Sequence, residues 1–438
     1  MLSFTTVAKE LQLYIVQYLD IPALKALRLV CRTASAIAVV QLFHTITLRF
    51  TDGSATRLKQ ILADDKLRPL VKKVILDGER GRQEAQEEWE EEGVTRQEFA
   101  WSLAIATIAG FPSLREIELQ FDDERHSDWD RWLDDLDARI KYREDYMKLT
   151  FTALQSAKLV DSLTIFHLLD ASCRCPGPQF RDGEGKIANP DRLTLMIAIT
   201  WDDAAPEANL EQAAVQECFN QGLENLWLKP TQLQLTHLTL YADIYWGIYP
   251  FSDLRGLCFP KLQSLALGNF SIAHGWQIDW ITSHGQTLEE LILDDCPIVY
   301  ALQLGDYDAR DNDWEEDSIK LVEMRWSNVF PLFQQRLKRL RHFGVGHGPW
   351  ANDKMVECRC DLPASIEPSR YVSYEHGQGP TPWIESDIKY GRKQIEFTDG
   401  ITVLAVVEVP DCEDEDQAAL DALLHAVRYG KAERGESK

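Results

Sequence analysis

The side chains best suited to chemistry in this 438-residue chain are two Cys-x-Cys pairs, Cys173-Arg174-Cys175 and Cys358-Arg359-Cys360. Thiolates bind zinc, but structural zinc sites usually space their ligands about two to four residues apart, and a single intervening residue strains tetrahedral geometry. Both pairs therefore read as loop cysteines, and His342, His347 and His376 as solvated or backbone-bonded histidines. The carboxylates Asp122, Asp123, Glu124, Asp128 and Asp130 lack the glycine and fixed ligand positions of a calcium loop, so they read as solvated surface. His126-Ser127 and Ser283-His284 are adjacent without a G-x-S-x-G elbow to hold a serine exposed, and no Gly-rich loop joins a strand to a helix. The sequence offers no catalytic residue, no metal site and no cofactor. It points to a chain that binds rather than reacts.

Composition narrows the class of partner. Asp and Glu number 70 against 46 Lys and Arg, a net charge of −24. Nucleic-acid binding needs a basic patch to release counterions, and only short clusters such as Arg336 to Arg341 interrupt the acidity. No nucleic acid is expected. Neither a signal peptide nor an apolar run of about eighteen residues is found, so no membrane partner is expected either. Nine cysteines without a regular framework fit a reducing compartment, cytoplasmic or nuclear.

The elements that must organise such a binder begin at residues 7–48. Leu11, Ile15 and Leu19 recur at helical spacing, while Glu10, Gln12 and Gln17 lie mostly elsewhere. Asp20 breaks the run, Pro22 starts a second helix, and Leu24, Leu27, Val30 and Cys31 form its stripe. A third apolar segment spans Ala36 to Phe43. Three helices of about a dozen residues enclose too little interior to bury all of this, so part of the apolar surface is expected to face a partner.

These residues also resemble the F-box family, without a gap from Val7 to Leu48. Glu10, Ile15, Leu19-Asp20, Leu24, Leu27, Leu29-Val30-Cys31-Arg32 and Leu42-Phe43 stand where the family places its Glu, Ile, Leu-Asp, Leu, Leu, Leu-Val-Cys-Arg and Leu-Trp/Phe. Two positions depart: Val7-Ala8 replaces Leu-Pro, and Ala34 replaces an aromatic. The resemblance implies docking on the Skp-family adaptor of an SCF (cullin-RING) ubiquitin ligase through Val7, Ala8, Glu10, Leu11, Ile15, Leu19, Leu24, Leu27, Val30 and Cys31. The rest of the chain would then hold a target protein. The alternative is a repeat-domain binding scaffold that does not assemble into a ligase.

Beyond Phe50 one strand form recurs: apolar, two variable, apolar, one variable, apolar. It occurs at Val71-Val74-Leu76, Leu114-Ile117-Leu119, Val160-Leu163-Ile165, Leu235-Leu238-Leu240, Leu262-Leu265-Leu267, Leu288-Leu291-Leu293 and Leu340-Phe343-Val345. The middle positions lie 43, 46, 75, 27, 26 and 52 residues apart, and the shorter steps match the period of a leucine-rich repeat. Helices are predicted between them, at 97–109, 129–155, 211–222, 278–284 and 319–337. The stretch from Asp279 to Ile298 resembles the degenerate repeats that follow the F-box in many filamentous-fungal proteins. Long insertions are expected at 78–93, 172–189, 306–317 and 351–382.

The expected fold class is α/β: an N-terminal three-helix F-box at 3–50, then an irregular leucine-rich-repeat-like solenoid at 51–350. An irregular segment with a β-hairpin and capping helix follows at 351–430, with Gly430 as the helix stop and a disordered tail at 431–438. Aromatic residues crowd the repeat region, and Tyr245 and Trp246 are expected at an exposed rim where a target protein binds.

Overall fold

The computed structural model describes residues 7–78, 96–121, 132–157, 159–174, 180–181, 187–188, 190–199, 213–303, 319–347, 370–374, 391–398 and 401–433. The chain divides into two compact units. One comprises Met1–Asp122, Asp145–Ile165 and Gln179–Pro190, and the other Asp123–Glu144, Phe166–Pro178 and Asp191–Lys438. Both are α/β units built on parallel strands.

The first unit opens with three helices, α1 (Lys9–Val16), α2 (Ile21–Leu27) and α3 (Arg32–Leu42), and shares its compact body with the strands that follow. Strand β1 (Thr45–Arg49), helix α4 (Asp52–Ala63), β2 (Lys73–Asp77), helix α5 (Arg96–Ile105) and β3 (Glu116–Gln120) come next. The strands pair parallel with Ile46 opposite Val74 and Val74 opposite Ile117. Residues 145–154 of helix α6 (Trp132–Leu154), residues 162–165 of strand β4 (Ser162–Leu169) and the two short strands β5 (Phe180–Arg181) and β6 (Ile187–Ala188) also belong to this unit.

The second unit carries β7 (Arg192–Ala198), helix α7 (Ala213–Glu217), β8 (His237–Trp246), β9 (Ser264–Phe270), helix α8 (Gly275–Ser283) and β10 (Glu290–Asp294). A π-helical segment, Cys218–Leu228, prolongs α7. Strands β11 (Ile298–Gln303) and β12 (Ile319–Leu321), helix α9 (Trp326–Arg336) and β13 (His342–Gly346) follow. Strand β14 (Tyr371–Tyr374), the hairpin β15 (Gln394–Thr398) and β16 (Val403–Glu408), and helix α10 (Glu413–Glu433) complete it.

All seven recurrent segments are strands, and within each unit those of β2 and β3, and of β8, β9, β10 and β13, pair parallel with their middle positions side by side. Leu193, Leu238, Leu265, Leu291 and Phe343 form one row across β7, β8, β9, β10 and β13. The start of each strand repeats one hydrogen-bond device. The carbonyl two residues before the middle position, at His44, Lys72, Arg115, Asp191, Thr236, Gln263 and Glu289, accepts two successive N–H groups from the next strand. This pins the register, and a slip of one residue would turn every leucine to the wrong face.

Two further strands share the form. β1 carries the same form at Phe43-Ile46-Leu48, and β7 carries it with Pro190 in the first place, which divides the 75-residue gap at Leu193. The helix predicted at 319–337 is shorter, because Ile319–Leu321 pairs antiparallel with β11 and the helix starts only at Trp326. Tyr371–Tyr374, predicted as loop, pairs parallel with β11. Gly430 does not stop the last helix, which continues to Glu433. Residues 79–93 of the insertion predicted at 78–93, the insertion predicted at 306–317, and residues 434–438 of the predicted tail lie outside the described residues.

Candidate protein-docking site

The N-terminal helices form where local signals place them. The Asp20 carboxylate accepts the Ala23 N–H at 2.7 Å and Pro22 sits in the first turn of α2. The Cys31 Sγ accepts the Ala34 N–H at 3.4 Å at the head of α3. A small core of Val16, Leu24, Ile37 and Ala38 holds the three helices together, with Leu13, Leu19, Leu27 and Leu42 packed against it.

Leu24, expected on the adaptor surface, is therefore interior at 4% exposure, and Leu19 and Leu27 are half-buried. Gln12, expected away from the apolar face, is buried and donates from Nε2 to the Val7 carbonyl at 2.8 Å. Ala34 is also buried, so the departure there lies in the bundle interior. Val7 is half-buried, whereas Ala8, Glu10, Leu11, Ile15, Val30 and Cys31 are exposed.

The exposed residues extend further than expected. Leu11, Tyr14, Ile15 and Tyr18, at 56, 57, 44 and 70% exposure, follow the i, i+3, i+4, i+7 spacing of one helical stripe. Ile21, Leu29 and Val30 add to the exposed apolar surface. Tyr14 and Tyr18 meet edge to face with ring centroids 5.2 Å apart, and the Tyr18 hydroxyl donates to Tyr14 at 2.9 Å. That bond raises the Tyr18 hydroxyl above its ordinary pKa. The spacing from Leu11 to Tyr18 was the signal in the sequence for both tyrosines.

Tyr245 and Trp246 require a correction. Both are buried rather than exposed at a rim, because β8 runs inward to Trp246 before Gly247 turns the chain at φ +108°. The Trp246 indole donates to the Gly268 carbonyl at 2.9 Å and packs on Phe270 at 4.7 Å. The Tyr245 hydroxyl lies 3.1 Å from Asp295 Oδ2, and burial, followed by the Asp295 charge, pushes its pKa well up. His347 Nδ1 lies 3.3 Å from the same oxygen. These groups tie the ends of β8, β10 and β13 together.

The sheet faces of the two units differ in access. In β1 the side chains of Thr45, Thr47 and Arg49 are exposed between buried neighbours. The matching face of β2 and β3 is crossed by a Lys73–Glu118 ion pair at 2.6 Å. On the second unit, the same rows contain Tyr241, Ala266 and Ile292, all buried, with Met196 packed on them.

Among the described residues no three His, Cys, Asp or Glu side chains are grouped as a metal would require. Cys175, Cys358, Cys360, His376 and the acidic run at 122–130 lie outside the described residues. Cys218 is disulfide-bonded, a bond that a reducing compartment does not favour. No helix among the described residues is long and apolar enough to cross a membrane. Neither a protein-family model nor a curated protein matches the chain.

Proposed function

We propose that this chain is a noncatalytic substrate-recognition subunit of an SCF (cullin-RING) ubiquitin ligase. In this reading α1 to α3 form an F-box that docks a Skp-family adaptor, and a leucine-rich-repeat-like solenoid holds the target protein. One observation carries it: Leu11, Ile15 and Val30 stay exposed on a bundle whose own core is already filled. The order of F-box-like residues from Val7 to Leu48 says which partner such a surface suits. For the repeats, the support is the row of middle positions and the repeated carbonyl device at strand starts. Such a subunit raises the local concentration of target lysines near the ubiquitin carrier and leaves the bond chemistry to other subunits.

The test is co-purification of the full chain with a Skp-family adaptor, using the double variant Leu11→Asp/Ile15→Asp. Leu24→Asp is unsuitable because it would break the bundle core. The double variant should stay folded and lose the adaptor at least 100-fold. Retained binding by the folded variant would refute the assignment. The alternative, a scaffold outside any ligase, is favoured by Val7-Ala8 in place of Leu-Pro. It predicts no complex even with excess adaptor.

A further inference from the structure

Among the described residues, no strand pairs with the outer edge of the C-terminal hairpin. β15 and β16 form a sheet of two strands, with Ile395 opposite Val407 and Phe397 opposite Ala405. The Val409 N–H bonds to the Lys393 carbonyl at 2.9 Å, and this sets the phase of the pair. Val407 and Ala405 therefore turn their backbone groups toward β15, while Val406 and Glu408 turn theirs to the open edge; beyond Ala405 the register shifts, and Leu404 sits in a bulge opposite the step from Phe397 to Thr398. The side chains of Leu404, Val406 and Glu408 are exposed as well, Val406 at 53% and Leu404 at 46%. Natural sheets protect an edge with lysine, proline or a bulge within the strand. Here the bulge at Leu404 breaks the N-terminal end of β16, and Ala405 to Val407 beyond it carries no charge and no proline. The β15 edge differs, since Gln394 and Glu396 face outward there.

Charge selects the occupant. Glu408, Asp411, Glu413, Asp414 and Glu415, all exposed, follow the strand directly, and Glu396 stands opposite Val406. Arg392 and Lys393 are the nearby exposed cations in the described chain, and they lie at the start of β15. A second copy of a chain with net charge −24 would bring like charge to like. An extended peptide that alternates apolar and basic residues would meet both the apolar side chains and the acidic end.

We propose that the outer edge of β16 is a docking site for an extended basic-apolar peptide segment, which adds to the hairpin as a third strand through the backbone of Val406 and Glu408, with the exposed Leu404 side chain beside it. Backbone bonds supply the grip, and alternate side chains supply the selectivity. The site is independent of the proposed adaptor surface and would operate with or without it.

The test uses the full chain and a fluorescein-labelled heptapeptide, Thr-Lys-Val-Lys-Val-Lys-Thr, read by anisotropy. Binding in the micromolar range is expected, weakening as salt screens the charges. A counterpart with Glu for Lys should bind at least tenfold more weakly. Methylating one alternate set of peptide amides should abolish binding and methylating the other set should spare it, which only strand addition produces. Val406→Lys and Leu404→Lys, both at exposed positions, should each cost at least tenfold with an unchanged melting curve. Either equal binding of the Glu peptide or undiminished binding by both variants would overturn the proposal. So would a mass that doubles with concentration and is lost in Val406→Lys, because a second copy would then be the occupant. Leu11→Asp/Ile15→Asp should bind the peptide normally, which separates this site from the adaptor surface.

Discussion

Replacing Asp416 should release the C-terminal helix from the body that it caps. Asp416 is fully buried near the start of α10 and serves four neighbours at once, one of them Cys412, whose Sγ donates to Oδ2 at 3.4 Å. Its Oδ1 accepts the Ser327 N–H at 2.8 Å, capping α9 from another helix. Its Oδ2 accepts from the Tyr371 hydroxyl at 2.9 Å and faces Arg370 Nε at 3.2 Å. Arg370 is itself 5% exposed in its side chain and lies 5.3 Å from the Tyr371 ring centre. Asp416→Ala therefore strands a guanidinium, a hydroxyl and a helix N–H away from water. Breaking a buried ion pair by removing one partner costs about 3 to 5 kcal/mol. Since about 1.4 kcal/mol is a factor of ten, amide exchange in α10 should accelerate by roughly two to three and a half orders of magnitude if the loss is felt as local opening. Asp416→Asn keeps an acceptor for Ser327 and should cost less. Pairing Asp416→Ala with Arg370→Met should recover part of the loss, because the stranded charge is gone. Hydrogen exchange followed by mass spectrometry reads each case. If Asp416→Ala leaves exchange in α10 within about twofold of the parent, the network does not hold this helix.

Leu24→Ala should destabilise the N-terminal bundle by about 2 to 5 kcal/mol, seen as faster proteolysis within residues 9–42, whereas the exposed Val30→Ala should stay within about 0.5 kcal/mol. Gly268→Ala would place a methyl group inside the space of the Tyr241 ring, whose hydroxyl reaches Asp294 at 3.3 Å, and should cost about 1 to 3 kcal/mol in chemical denaturation. His284 is buried, its Nε2 accepts the Phe259 N–H at 3.3 Å, and burial holds its pKa below the ordinary value. The unfolded chain therefore takes up this proton more readily, so stability should fall as pH drops through about 6.5, and His284→Gln should flatten that part of the melting-temperature profile.

The sequence by itself determined the strand phase and the helical start of the chain. Apolar side chains at the first, fourth and sixth positions of a strand suit a sheet backed by connecting segments, so the parallel register of Leu238, Leu265 and Leu291 was legible in advance. Asp20 and Pro22 likewise marked the second helix, because capping is settled within one turn. Tertiary structure alone decided which side of each apolar stripe is covered. Leu24 and Leu11 share the same helical spacing, yet one closes the bundle core and the other stays in water. Tyr245 and Trp246 looked like rim residues until Phe219, Phe270 and Asp295, distant in the chain, enclosed them. Asp416 ends the acidic run that leads the last helix, and the approach of Arg370, Tyr371 and Ser327, distant in the chain, gave it partners that allow full burial. Periodicity specifies a face, which is local, whereas burial depends on neighbours tens of residues away that no local pattern contains.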